Sequence, residues 1–90
     1  MYISQLEWDD FRVEHIAKHD VEPHEVWEVC NDNSHLARRQ GRNRYLVYGQ
    51  TLDGRYLFVV LEQIEWSVYK PITARNMTDR EKRNFRRLRK

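Results

Sequence analysis

Ninety residues, 40% hydrophobic and 33% charged, make one small domain (1–90) with room for a single core. The lone cysteine, Cys30, excludes an internal disulfide and a cysteine-rich zinc site, and fits a reducing compartment. The net charge of +2 conceals a polarity: residues 1–33 carry nine acids and two bases (−7), and residues 34–90 fourteen bases and five acids (+9). The basic part points to a polyanion or an acidic partner.

The chain has no apolar run near the roughly 20 residues of a membrane span. Its opening, Met1 to Trp8, lacks the basic start and apolar core of a signal peptide. A cytoplasmic protein with no membrane partner is therefore expected.

Tyr2, Ser4, Leu6 and Trp8 alternate with Ile3 as in a short strand. Asp9 or Asp10 can cap a helix running to about His19, with Phe11 and Ile16 as its apolar residues. Asp20 stands at a turn, and Pro23 suits the first position of a second helix. That helix has Val26, Trp27, Val29 and Cys30 on its apolar face and ends at Asn31 to Ser34.

The middle is β-rich. His35 to Arg39 reads as an edge strand whose bases discourage strand addition. Arg44 to Thr51 and Arg55 to Gln63 flank Asp53-Gly54, a strong hairpin signal. A two-residue loop there sets Tyr48 opposite Val59 and Leu46 opposite Leu61. One face then carries Leu46, Tyr48, Leu57, Val59 and Leu61, and the other Tyr45, Val47, Tyr56, Phe58 and Val60. Ile64, Trp66 and Val68 alternate as another strand, which Pro71 interrupts or ends.

Thr78 and Glu81 have capping-box spacing, so a last helix follows. It carries Arg80, Lys82, Arg83, Arg86, Arg87, Arg89 and Lys90 around an apolar anchor of Phe85 and Leu88. The predicted fold class is α+β: two N-terminal helices, an antiparallel β-meander and a basic C-terminal helix.

Three constellations could carry chemistry. The first is the arginine-rich surface: Arg38, Arg39, Arg42, Arg44, Arg55, Lys70 and Arg75, with tyrosines on neighbouring strands. Guanidinium forks suit phosphate, and tyrosine rings suit unpaired bases. The plainer alternative is a solvated basic surface. The second is His15 with His19, one helical turn apart; without a third ligand no metal or other cofactor is expected. The third is Arg75, at a strand–helix junction where it can stabilise charge growing on a phosphate. Against that stands an ion pair with Glu7, Asp9, Glu62 or Glu81.

These residues also carry a resemblance. Glu7-Trp8-Asp9, His15 to Val21 and Pro23 with Glu25-Val26 and Glu28-Val29 resemble the opening of BrnT-type toxins. Arg44 to Thr51, Gly54 to Leu57 and Ile72 to Thr78, followed by Glu81, resemble the remainder. Asp20 stands where that family usually has glycine. The resemblance implies a RelE-like domain acting as an endoribonuclease toxin, with the RNA's own 2′-hydroxyl as nucleophile and no metal. It implies inhibition of translation and a cognate antitoxin, whose other end binds operator DNA. It leaves two assemblies open, a homodimer and a toxin–antitoxin heterotetramer.

Carried over by position, the catalytic candidates are Arg75, Arg44, His19 and Lys18. Arg75 and Arg44 would hold the phosphate, and His19 or Lys18 would move a proton or position the backbone. Arg55, Lys70, Arg80 and Arg83 are the RNA-binding candidates. This reading requires the cations to converge on one phosphodiester-sized pocket. The alternative function is a non-catalytic basic module for RNA or an acidic protein.

Overall fold

The computed structural model describes residues 1–89. Its elements, in chain order, are β1 (Gln5–Leu6), α1 (Asp10–Ala17), α2 (Pro23–Cys30), β2 (Leu36–Gln40), β3 (Arg44–Gln50), β4 (Tyr56–Glu65), β5 (Val68–Asn76) and α3 (Asp79–Leu88). The strands form one sheet in the order β1-β5-β4-β3-β2. β2 to β5 are the antiparallel meander, and β1 adds to β5 in parallel. The class is α+β, as the sequence predicts. Among the described residues no helix is long and apolar enough to cross a membrane.

Both N-terminal helices form for local reasons. The Asp9 carboxylate accepts from Arg12 N at 2.7 Å and caps α1. The helix ends at Ala17, short of His19. Asp20 then turns the chain in the left-handed region, φ +59°. Pro23 opens α2 inside a reciprocal box between Glu22 and Glu25.

α1 and α2 cover one face of the sheet. Ile16, Val26, Val29 and Cys30 meet Val47, Leu57, Val59, Leu61 and Ala74 there, all buried. Gly49 allows the close approach of α2 to β3. A Cβ at that position would stand 3.0 Å from Val29 Cγ1 and 3.2 Å from both Val29 O and Asp32 Oδ2.

The hairpin corrects the expected register by one residue. Tyr48 faces Phe58 and Leu46 faces Val60. Thr51 N donates to Arg55 O, and Gly54 N to Thr51 O, each at 2.9 Å. The loop is therefore Leu52-Asp53-Gly54, a turn closed by a left-handed glycine (φ +87°), not the two-residue loop. A slip of one residue exchanges faces. Tyr45 and Val47 join Leu57, Val59 and Leu61 on the inner side, while Leu46, Tyr48, Tyr56, Phe58 and Val60 lie outside.

The last two strands bring one further correction, at Trp66, and show that Pro71 interrupts its strand without ending it. Trp66 lies in the β4–β5 turn, 79% exposed, beside Ser67 at φ +64°. β5 continues through Pro71. The register shifts there, from Val60↔Thr73 to Leu61↔Pro71, and β1 reaches only Val68 and Tyr69. Proline is tolerated because the strand is bulged and, at that point, has lost its β1 neighbour.

Candidate active site

α3 lies against the outer face of the sheet and leaves much of it partly exposed, and the way α3 is held defines the site. Thr78 Oγ1 accepts from Glu81 N at 3.2 Å, and Glu81 Oε1 accepts from Thr78 N at 2.8 Å. Phe85 is buried with its ring edge-on to Tyr56. Leu88, the other expected anchor, is 57% exposed. The remaining ties are polar. Arg86 Nε donates to the Tyr56 hydroxyl at 3.2 Å, and Arg89 Nη1 to Gln50 Oε1 at 2.6 Å.

Arg75 projects from β5 onto this face, in the row Tyr48↔Phe58↔Arg75. Its guanidinium carbon lies 4.3 Å over the Phe58 ring. Its fork bonds both oxygens of Glu81, at 2.8 and 3.2 Å. The two side chains are 38% and 20% exposed, so the pair is reachable from solvent. The hydrogen bond from Arg75 holds the Glu81 carboxyl below its ordinary value. Glu81 in turn raises Arg75. Beside the pair, a cleft of about 470 Å³ opens between α3 and strands β2 and β3, lined by Arg38, Tyr48, Glu81, Asn84 and Arg87 over Leu36 and Phe85. Burial first, and Glu81 second, push the Tyr48 hydroxyl up, so it is protonated at neutral pH.

The other predicted site residues do not gather here. Arg44 pairs with Glu62 at 3.7 Å, four residues along β4 from Phe58, or roughly 13 Å at strand rise. Arg55 bonds the Glu25 carboxylate at 2.8 Å, the Asp20 carbonyl at 2.6 Å and Asn76 at 3.2 Å, so it staples the helix layer to the sheet. Lys70 pairs with Asp9 at 3.1 Å. Lys18 and His19 follow α1, on the inner layer, whereas Arg75 faces outward. Arg80 and Arg83 are exposed on α3 itself.

Among the described residues the predicted cations therefore do not converge on a single pocket. Arg44, Arg55, Lys70 and Arg75 each meet a carboxylate. Of the ion-pair partners foreseen for Arg75, it is Glu81. The sequence offers Glu81 as a cap and an ion-pair candidate, Tyr48 among the strand tyrosines suited to unpaired bases, and Arg38 in the arginine-rich surface. Their proximity is hidden in the sequence because the expected register puts Tyr48 opposite Val59, not Phe58. Among the described residues no three His, Cys, Asp or Glu side chains gather as metal ligands.

Fold and site together define a small α+β domain with one basic outer face and a cleft in which arginines, a protonated tyrosine and a carboxylate meet. A family model described as "Ribonuclease toxin, BrnT, of type II toxin-antitoxin system" matches residues 8–81, and the chain belongs to this family. Membership implies an RNA substrate and an antitoxin partner. No curated protein matches the sequence.

Proposed function

We propose that the chain is an endoribonuclease toxin of the cytoplasm that cleaves RNA without a metal ion, inhibits translation and is neutralised by its antitoxin. The observation that carries this reading is the partly exposed Arg75–Glu81 pair beside Tyr48 and Arg38, at a cleft on the basic face. A scissile phosphate would take the Arg75 fork, with Arg38 and Arg87 at the rim. The 2′-hydroxyl attacks phosphorus: the O2′–P bond forms and the P–O5′ bond breaks, leaving a 2′,3′-cyclic phosphate and a 5′-hydroxyl. Glu81 takes the proton from O2′ and Tyr48 gives one to O5′.

Arg80 and Arg83 extend the cationic surface along α3 for flanking phosphates. Arg44 and Lys70 lie outside the cleft and enter as contacts to more distant nucleotides, as do Lys18 and His19 at the domain's edge. Arg55 serves the fold, and any contact it makes with RNA is secondary.

The test is incubation of pure protein with RNA in EDTA. Cyclic-phosphate fragments are expected, and a 2′-deoxy substitution at the cleaved position should abolish them. Arg75→Ala should slow cleavage by about 10²–10³-fold, the usual cost of losing one preorganised charge-stabilising group. Cleavage at the parental rate by a folded Arg75→Ala chain would show that the site lies elsewhere. Activity should fall as pH drops below the ordinary Glu value of 4.5, where the proton acceptor is lost, and again above the ordinary Tyr value of 10.0, where the donor is lost.

One observation favours a second reading, a basic module that binds RNA without cutting it. In the resting chain Arg75 is already neutralised by Glu81. A gel shift with no fragments would select that reading.

A further inference from the structure

A second surface, opposite the cleft, has the reverse character. Trp27 on α2 is 41% exposed, although Val26 and Val29 of the same helix are buried. Two hollows flank it. One, of about 520 Å³, lies between α2 and the β3–β4 loop and is bordered by Glu28, Asp32 and Leu52. The other, of about 430 Å³, lies between α2 and β1 and is bordered by Leu6, Trp8 and Pro23. Trp27 lines both, so they form one apolar strip that ends at Leu52, 87% exposed.

The charge around the strip is mainly acidic, with His24 as the one basic side chain, among the described residues, at its β1 end. Among the described residues no lysine or arginine lines either hollow, whereas Glu28 and Asp32 do. Asp53 adjoins Leu52, Glu22 adjoins Pro23 and Glu7 adjoins Leu6. The cleft on the outer face, by contrast, is rimmed by Arg38 and Arg87. An exposed tryptophan between two hollows, in an acidic field, is poorly suited to RNA and well suited to a cationic peptide with apolar side chains.

We infer that the Trp27 strip is a docking site for a cationic amphipathic segment of a partner protein. In a toxin–antitoxin pair this partner is the antitoxin, an assignment that rests on the function proposed above. Docking here leaves the cleft beside the Arg75–Glu81 pair free, so this contact anchors the partner while another part of it closes the cleft. The antitoxin then needs two chemistries, a basic anchor for the acidic helix layer and an acidic or apolar cover for the arginine face.

The test uses the full chain labelled with ¹⁵N and two synthetic peptides: one with leucine and lysine at helical spacing, and its counterpart with glutamate for lysine. The indole N–H signals of Trp8, Trp27 and Trp66 report separately. The cationic peptide should shift Trp27 and Trp8, leave Trp66 unmoved and bind several-fold more weakly at high salt. Trp27→Ala, followed through Trp8, and Leu52→Lys should each weaken binding at least tenfold. Leu52 is so exposed that its substitution does not threaten the fold. Both variants should cleave RNA at the parental rate.

An equal response to both peptides, a response confined to Trp66, or binding indifferent to both substitutions would overturn the assignment. So would Trp27 shifts produced by single-stranded RNA, or by dilution of the protein alone; the latter would mark a contact between copies. If no variant and no parental chain cleaves RNA, the nuclease reading falls while the peptide result still decides the docking site.

Discussion

The two faces of this sheet are covered by different physics. The inner layer, α1 and α2 over the sheet, is a continuous apolar contact with Leu57, Val59 and Leu61 fully buried. The outer layer, α3, is fastened by one buried ring, a capping box, one bidentate ion pair and a few hydrogen bonds from arginine. Stability therefore resides on the inner side and adjustable chemistry on the outer. Polar ties can be exchanged for a ligand's phosphates at small cost, whereas a packed core cannot open without unfolding.

The largest expected effect tests that division directly. Leu57→Ala should lower global stability by about 2–5 kcal/mol, the usual cost of a large-to-small change in a core. Urea unfolding would measure it, and amide exchange should quicken throughout the sheet. Phe85→Ala removes a ring that is just as buried, but α3 can detach while the sheet stays folded. Exchange should then quicken in α3 alone, with β3 and β4 keeping their protection. Equal losses everywhere would show that α3 belongs to the same cooperative unit as the core.

Gly49→Ala sharpens the inner half of the comparison. Alanine would stiffen the unfolded chain, a gain of about 0.4–1 kcal/mol. The new methyl group, however, meets a core side chain, a helix carbonyl and the Asp32 carboxylate, which is itself held by Gln50 N at 2.8 Å. None of these can easily give way, so the balance should be a net loss of about 1–2 kcal/mol. A stabilised variant would mean that α2 rides more loosely on β3 than the distances indicate.

What the sequence made legible follows the same division. Capping residues, helix periodicity and the Asp53-Gly54 turn act locally, so Asp9, Pro23, Thr78 and Glu81 declared their elements. The strand register is set by one residue more or less in a turn, and Thr51 decided it by pairing with Arg55. That single step put Tyr48 in the row of Arg75 and made the cleft. The dispersal of the cations onto separate carboxylates was illegible for a different reason. Partners drawn from the acidic first third, Asp9 and Glu25, meet Lys70 and Arg55 only once the helix layer has docked. The parallel pairing of β1 with β5 spans more than sixty residues and has no local signal.

His35 gives a smaller, pH-dependent effect at the end of the inner layer. Both ring nitrogens are buried without a hydrogen-bond partner among the described residues. Burial, aided by the N-terminal ammonium, holds its pKa below 6.5 against the opposing pull of Asp32 and the nearby Asp32 and Cys30 carbonyls. Well above pH 6.5 the ring is neutral in both folded and unfolded chains and contributes no slope. Below it the unfolded chain takes the proton first, so stability falls with pH until the folded ring also protonates. His35→Leu should flatten the urea midpoint between pH 7 and pH 5. Carboxylates such as Glu81 act lower, below 4.5, and do not confuse that window. Parallel profiles for the two chains would mean that the ring reaches water.

The smallest effect lies at the junction between α1 and α2. Asp20 holds φ +59°, a conformation costly to most side chains and free to glycine. Its own backbone carbonyl, not its carboxylate, accepts from Arg55. Asp20→Gly therefore removes the left-handed strain and keeps the staple. Against this, glycine loses more freedom on folding, and aspartate tolerates the left-handed region better than most residues. The two effects nearly cancel, and a gain of a few tenths of a kcal/mol is expected, read as a slightly higher urea midpoint with RNA cleavage unchanged. A clear loss of stability would instead assign the Asp20 carboxylate a role in holding the helix layer, and would move part of that layer's cohesion from its apolar core to its polar rim.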